Sequence, residues 1–236
     1  VIALLLAAVL AAPSAPPDVL PLLGGGSAAL TAASVLARYA EALVVYRTPS
    51  VLTFEYLVEQ TGARNIEQRH RVFRSGQSQR DELLAVDGKK LQPPSVHIFL
   101  GRRNRYTVES LAPRPGAYSF RYIGPVRHGH HTDAVFATTP IVPGAPAAVR
   151  QVQIDGSTYL PVSISFTTAV RKGSGTITFG RVQRYWLPLT ASAKATYAKL
   201  GAEEKITFSH YRFPANLAKS TFAKPRPLPS FHPAPY

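Results

Sequence analysis

From Leu52 onward the chain alternates apolar and polar residues with a period of two. Leu52, Phe54, Tyr56 and Val58 share one side of an extended segment, while Thr53, Glu55 and Glu59 mostly occupy the other. Before this point the period is near 3.6. Val35, Leu36, Tyr39, Leu43 and Tyr46 recur at helical spacing with Arg38 and Glu41 off the stripe, which predicts a helix from about Ala29 to Tyr46, stopped by Pro49. A stripe of that width packs on a sheet.

Further short extended segments are predicted at Ile66 to Phe73, Arg80 to Val86, Ser95 to Leu100, Arg105 to Leu111, Tyr118 to Ile123 and Val149 to Ile154. Thr158 to Leu160, Val162 to Val170, Thr176 to Phe179, Val182 to Leu187, Ala191 to Tyr197 and Lys205 to Phe213 continue the series. Gly62 with Asn65, Asp87-Gly88, Pro93-Pro94, Asp155-Gly156 and Lys172 to Gly175 supply the turns between them. None of the gaps after Pro49 holds a helix long enough for a parallel crossover, so the strands form an antiparallel meander. A sheet of about ten or eleven strands must curl, close, split or be covered. The expected fold is therefore mainly β with α: a strongly curved, incompletely closed antiparallel β-barrel of about 10-11 strands, with the N-terminal helix covering the concave side. Its interior can be filled by side chains or by a guest.

Outside this body, Val1 to Ala12 is uncharged and apolar and precedes a run of small residues and prolines. Twelve helical residues rise only about 18 Å, short of a membrane core of roughly 30 Å, so residues 1–17 read as a signal peptide or its remnant, cut near Ala11, Ala12 or Ala15. The other reading is a buried N-terminal helix. Residues 18–28 are a linker, 29–213 one domain and 214–236 a proline-rich tail barred from any central strand, with Phe222 or Phe231 tacking it to the body and disorder expected beyond Phe222. The stretch Arg127 to Pro146 has little period and is expected to be a long loop or lid.

Composition narrows the chemistry. With no Cys, the chain cannot form disulfides, thiolate nucleophiles or cysteine-held metal centres. Its 27 Lys and Arg against 13 Asp and Glu leave a charge of +14, a footprint that suits nucleic acid, an anionic membrane or an acidic partner. Arg69, Arg71 and Arg74 form one basic group and Arg102, Arg103 and Arg105 another. Export removes nucleic acid from the choices and leaves anionic lipid or an envelope protein for transient contact.

Catalytic patterns are missing. His128, His130, His131 and Asp133 are the weak metal candidates, but His131 points away from His128 and His130 in an extended chain, and the spacing matches no zinc motif. They read as a solvated loop patch with no metal. There is no GxSxG elbow, P-loop or GxGxxG, and Asp81 and Glu82 fall on opposite sides of a strand. The expectation is no enzyme and no cofactor.

Four stretches, SVLARYAEAL at 34–43, LTFEYLVEQTG at 52–62, ESLAPRPGAYSFRYIGP at 109–125 and VQIDGSTYLPVSISF at 152–166, resemble the periplasmic outer-membrane lipoprotein carrier family, LolA/LolB-like, and the related N-terminal domain of RseB. The resemblance implies an exported, monomeric, non-enzymatic carrier on the periplasmic or extracellular side of the envelope, holding an acyl chain of a lipid or lipoprotein in an apolar cavity. It would line that cavity with Leu36, Tyr39, Leu43, Phe54, Tyr56, Ile164, Phe166, Ile177 and Phe179. The His-rich loop and proline tail depart from the compact family pattern. The alternative is a sensor or protein-interaction module of the same fold with no bound lipid, making contact through exposed arginines.

Overall fold

The computed structural model describes residues 31–46, 49–62, 65–100, 111–128, 131–144, 147–168, 173–197 and 200–223. Among the described residues, helix α1 (Ala32–Val45) precedes β1 (Val51–Gly62), β2 (Ile66–Ser75), β3 (Ser78–Val86), β4 (Lys89–Phe99), β5 (Tyr118–His128) and β6 (His131–Pro140). Then come β7 (Ala147–Ile154), β8 (Pro161–Thr168), β9 (Gly173–Val182), β10 (Tyr185–Tyr197) and β11 (Leu200–Arg212). All belong to one 11-stranded antiparallel sheet, ordered β4-β3-β2-β1-β11-β10-β9-β8-β7-β6-β5. The first strand pairs with the last, and β4 and β5, consecutive in the chain, are its two open edges. The sheet is an incomplete barrel with an N-terminal helix on one side, as the alternation predicts.

Thr31 caps α1 by accepting from the Ser34 N–H at 3.2 Å. The helical stripe buries Val35, Tyr39 and Leu43. These pack with Leu52, Phe54, Tyr56 and Val58 of β1, so the even-numbered side of β1 is the inner face. Register carries that face across the sheet: Tyr56 pairs with His70 and with Phe208, and Ile164 pairs with Val152 and with Ile177. Thr207, Lys205, Thr176 and Ser165 alternate to the outer face.

Both edges are blunted. On β4, residues Leu91 to Pro94 bulge between the Leu83–Ser95 and Ala85–Lys90 pairs, so the strand runs through Pro93-Pro94 where the sequence suggests a break. On β5, Ile123 is the extra residue beside Gly124 and Pro125. Proline, bulges and cations on an edge discourage further strand pairing.

Several expectations need correction. The stretch expected as a loop or lid holds the end of β5 and all of β6, joined by a hairpin whose residues 129–130 lie outside the described residues. Strand β6 is buried on both faces at Asp133, Val135, Phe136 and Thr138, which erases a period of two. Thr158 to Leu160 is a turn, because both Thr158 and Ser157 donate to Asp155. The segments at Val182 to Leu187 and Ala191 to Tyr197 belong largely to one strand, β10, with a bulge between Pro188 and Thr190. Of the Arg105 to Leu111 segment, only Leu111 is described, and it is not in a strand. The tail returns as a 3-10 turn, Lys219–Phe222, where the Arg80 guanidinium donates to the Thr221 carbonyl at 3.2 Å. Phe231 and the residues beyond 223 lie outside the described set.

Candidate functional site

The inner face beneath α1 gathers Tyr39, Leu43, Phe54, Tyr56, Ile164, Phe166, Ile177 and Phe179 in one buried apolar cluster, with Leu36 half-buried against it. Strand alternation delivers the six from β1, β8 and β9, since one face of each must be apolar if the other meets water, and the helical stripe of α1 delivers Leu36, Tyr39 and Leu43. Aromatic rings line the β1–β11 seam: Phe54 lies 5.4 Å from Tyr211 and 6.0 Å from Phe208 between centroids. Across the sheet, Tyr39 meets Phe120 edge-on at 6.1 Å.

Two polar contacts orient the helix. The fully buried Tyr39 hydroxyl donates to the Pro113 carbonyl at 2.8 Å, and burial pushes its phenol far above the ordinary range, so it stays a neutral donor. Arg38 donates to the Tyr159 hydroxyl at 2.9 Å and sits over that ring at 5.1 Å. Tyr159 in turn follows a turn built by Asp155, whose Oδ1 accepts from the N–H and hydroxyl groups of both Ser157 and Thr158. Burial opposes ionisation of Asp155, but these four donors prevail and hold its carboxyl below its usual value.

Besides the buried Arg74 of β2, which pairs in register with Leu52, two polar intrusions into the apolar wall escape a reading by periodicity. The first is a triad of Tyr56, His70 and Asp81. Tyr56 donates to Asp81 Oδ2 at 2.8 Å, His70 Nδ1 lies 2.9 Å from Asp81 Oδ1, and the Tyr56 and His70 rings stack at 4.4 Å. The second is Glu204, buried on β11, its carboxyl pushed up to about 7 by burial. For Asp81, the only local signal was its position opposite Glu82 on the strand; Glu82 indeed faces outward, accepting from Arg80 at 2.7 Å.

Of the weak metal candidates, Asp133 is the one whose side chain lies among those described. His128 and His131 are cross-strand partners in the β5–β6 hairpin, and His130 lies outside the described residues. Asp133 is buried and accepts from Gln153 Nε2 at 2.7 Å and from the Gly156 N–H at 3.3 Å. Among the described residues no three His, Asp or Glu side chains converge for a metal. Of the basic residues, Arg69 and Arg71 sit on the outer face of β2, Arg71 paired with Glu55 at 2.8 Å, whereas Arg74, expected in the same patch, is buried on the inner face because its even position points opposite to their odd ones. Arg102, Arg103 and Arg105 lie outside the described residues.

Two recesses open mainly between outward-facing residues. One of about 690 Å³ has hydroxyls from Ser165, Thr167, Ser174, Thr176 and Ser192 in its lining. The other, about 340 Å³, lies between Glu55, Arg71, His210 and Arg212.

No protein-family model and no curated protein matches the chain. Solved structures do. A LolA superfamily protein from Nitrosomonas europaea is 12% identical with a TM-score of 0.49, over 83% of this chain and 99% of that one. A DUF1329 family protein from Desulfovibrio piger is 10% identical with a TM-score of 0.49, over 80% and 97%. A putative outer membrane lipoprotein-sorting protein domain from Vibrio parahaemolyticus is 14% identical with a TM-score of 0.47, over 79% and 95%. Likeness at this level concerns the course of the chain, and the chain's own residues have to carry a functional reading.

Proposed function

We propose that this protein is an exported, non-enzymatic binder of acyl chains, which it holds against the inner face of the sheet beneath α1. The observation that carries this reading is the continuous apolar cluster running from α1 and β1 through β11, β9, β8, β7 and β6 on one side of an open sheet. Each methylene taken from water onto such a wall gains about 0.8 kcal/mol, so a chain is retained with no covalent step. Leu36, Tyr39, Leu43, Phe54, Tyr56, Ile164, Phe166, Ile177 and Phe179 are the lining in this reading. Access requires α1 to swing outward, and its polar tethers through Tyr39 and Arg38 are few.

A fluorescent long-chain fatty acid tests the proposal. The expected result is saturable uptake, reduced at least tenfold by Leu36→Glu, which sets a charge at a half-buried helix position packed against the apolar cluster. Native mass spectrometry of protein from an envelope fraction is expected to show co-purifying lipid. A folded protein that takes up no fatty acid and carries no lipid overturns the carrier reading in favour of a ligand-free interaction module.

A further inference from the structure

Where β5 ends the sheet, the inner face runs out into water. Tyr118 and Phe120 of β5 pack against the core, and Tyr122 continues that side of the strand. A chain of rings marks the path: Phe120 lies 6.1 Å from Tyr39 of α1 and 6.2 Å from the buried Phe136, and Phe136 lies 5.3 Å from Tyr122. Tyr122 is already outside. Together with Ile123 and Val126 of β5 and with Ile141 and Val142 after β6, it is between 44% and 52% exposed. The Ile141 N–H donates to the Ala117 carbonyl at 3.0 Å, which keeps that corner beside the start of β5. Single apolar residues on a surface are ordinary, but these follow one edge as a strip.

The charge along this part of the chain has one sign at the surface. Arg121 and Arg127 stand exposed on β5 itself, with Arg114 exposed before it and Arg150 exposed on β7. Between Leu111 and Ile154 the sole carboxyl is that of Asp133, which is buried and accepts from Gln153 and from the Gly156 N–H. Another strand is a poor occupant of this edge, because Pro125 offers no N–H and the bulge at Ile123 breaks the register. An anionic bilayer answers both features: its headgroups meet the arginines, while Tyr122, Ile123 and Val126 reach the boundary of the acyl region.

We propose that the β5 edge is the surface with which this protein lies on an anionic bilayer, and that an acyl chain passes from the bilayer by way of Tyr122 to the inner face. The inference rests on the carrier reading and names the surface at which the carrier is loaded.

The chain has no cysteine, so Ile123→Cys, Val126→Cys and Val142→Cys can each carry one polarity-sensitive nitrobenzoxadiazole dye in the full chain. Vesicles of phosphatidylglycerol with phosphatidylethanolamine are expected to raise the emission at least about twofold and shift it to shorter wavelength, whereas phosphatidylcholine vesicles leave it unchanged. The same dye at Ser174→Cys, exposed on β9, should not respond, which separates docking by the edge from capture through apolar Val1 to Ala12. Adding Arg121→Gln with Arg127→Gln should raise the lipid concentration for half the response about tenfold. Silence of the edge dyes on anionic vesicles, equal responses at Ser174→Cys or on phosphatidylcholine, or indifference to the arginine changes overturns the docking surface. So does a response to protein concentration without lipid, which gives the edge to a second copy of the chain. The sites are read independently, so one variant that fails to fold leaves the test intact. Fatty-acid uptake by the unlabelled protein is a separate readout: uptake that persists while the edge dyes stay silent keeps the carrier reading, and edge dyes that respond without uptake remove the loading step.

Discussion

The ring of Phe166 on β8 lies across Gly175 on β9, so closely that a Cβ at position 175 would come within 2.6 Å of Phe166 Cζ and 2.9 Å of Cε1. The absent side chain at 175 is therefore what lets the largest residue of that row lie down on the wall. Gly175→Ala is expected to lower stability by about 1–3 kcal/mol through overpacking. Phe166→Ala should cost about 3–5 kcal/mol, and the double variant less than the sum of both, because the clash partner is gone. The Ser192 carbonyl also crowds that position, so relief is partial. Urea denaturation midpoints of the four proteins measure the coupling.

Tyr39 holds α1 to the segment before β5. Tyr39→Phe keeps the ring packing against Phe120 but leaves the Pro113 carbonyl without its donor, a loss of about 1–3 kcal/mol. Hydrogen exchange should show α1 amides losing more protection than those of β9. Wild-type Tyr39 should also contribute no phenolate absorbance through pH 11 while the fold persists.

Glu204 makes stability depend on pH in an unusual direction. Its folded pKa of about 7 exceeds the ordinary carboxyl value of about 4.5, so the native state binds the proton more tightly than the unfolded chain. The associated stability is fully present below pH about 4.5 and is lost as pH rises through about 7. The drop should be no more than about 3 kcal/mol. Denaturant midpoints measured from pH 5 to 8 should fall in wild-type protein and fall less in Glu204→Gln; identical slopes would remove Glu204 as the source.

Asp155 works in the opposite sense. Its carboxylate is favoured in the folded protein, so its contribution is present above the unfolded carboxylate range and lost as pH falls through its lowered folded pKa. Asp155→Ala strips the turn of four hydrogen bonds to one oxygen and should cost about 2 kcal/mol near neutrality. The difference between variant and wild type should narrow in acid, as thermal melts at pH 2.5 and 7 can show. Because Tyr159 follows this turn, loss of its contact with Arg38 should accompany the change.

Where one face meets water and the other the core, the strands were legible residue by residue: Leu52, Phe54, Tyr56 and Val58 alternate because a slip of one position would expose them all. Strand β6 was hidden because Asp133 and Val135 are buried on one side while Phe136 and Thr138 are buried on the other, leaving no alternation to read. The run through Pro93-Pro94 was hidden for another reason: an edge strand tolerates a missing N–H on its free side, and an edge cannot be told from a centre by composition. The nine proposed lining residues, a set implied by the resemblance, fall where local period places apolar side chains: six on the alternating strands β1, β8 and β9 and three on the 3.6-residue stripe of α1. His70, Asp81 and Glu204 could not be read that way, since each breaks the apolar pattern of its own face.

Local order, then, belongs to the sequence alone: a helix where apolar residues recur near every 3.6 positions, strands where they recur every two, and one oily side to each, because backbone geometry converts spacing directly into direction. Which strands become neighbours is decided by long-range pairing. Only the meeting of β1 with β11 sets Glu204 beside Gln60, and only the β2–β3 pairing brings His70 to Asp81, because these contacts join residues that no local period relates. The same closure leaves β4 and β5 as separate edges and turns one-sided strands into a single apolar wall beneath α1.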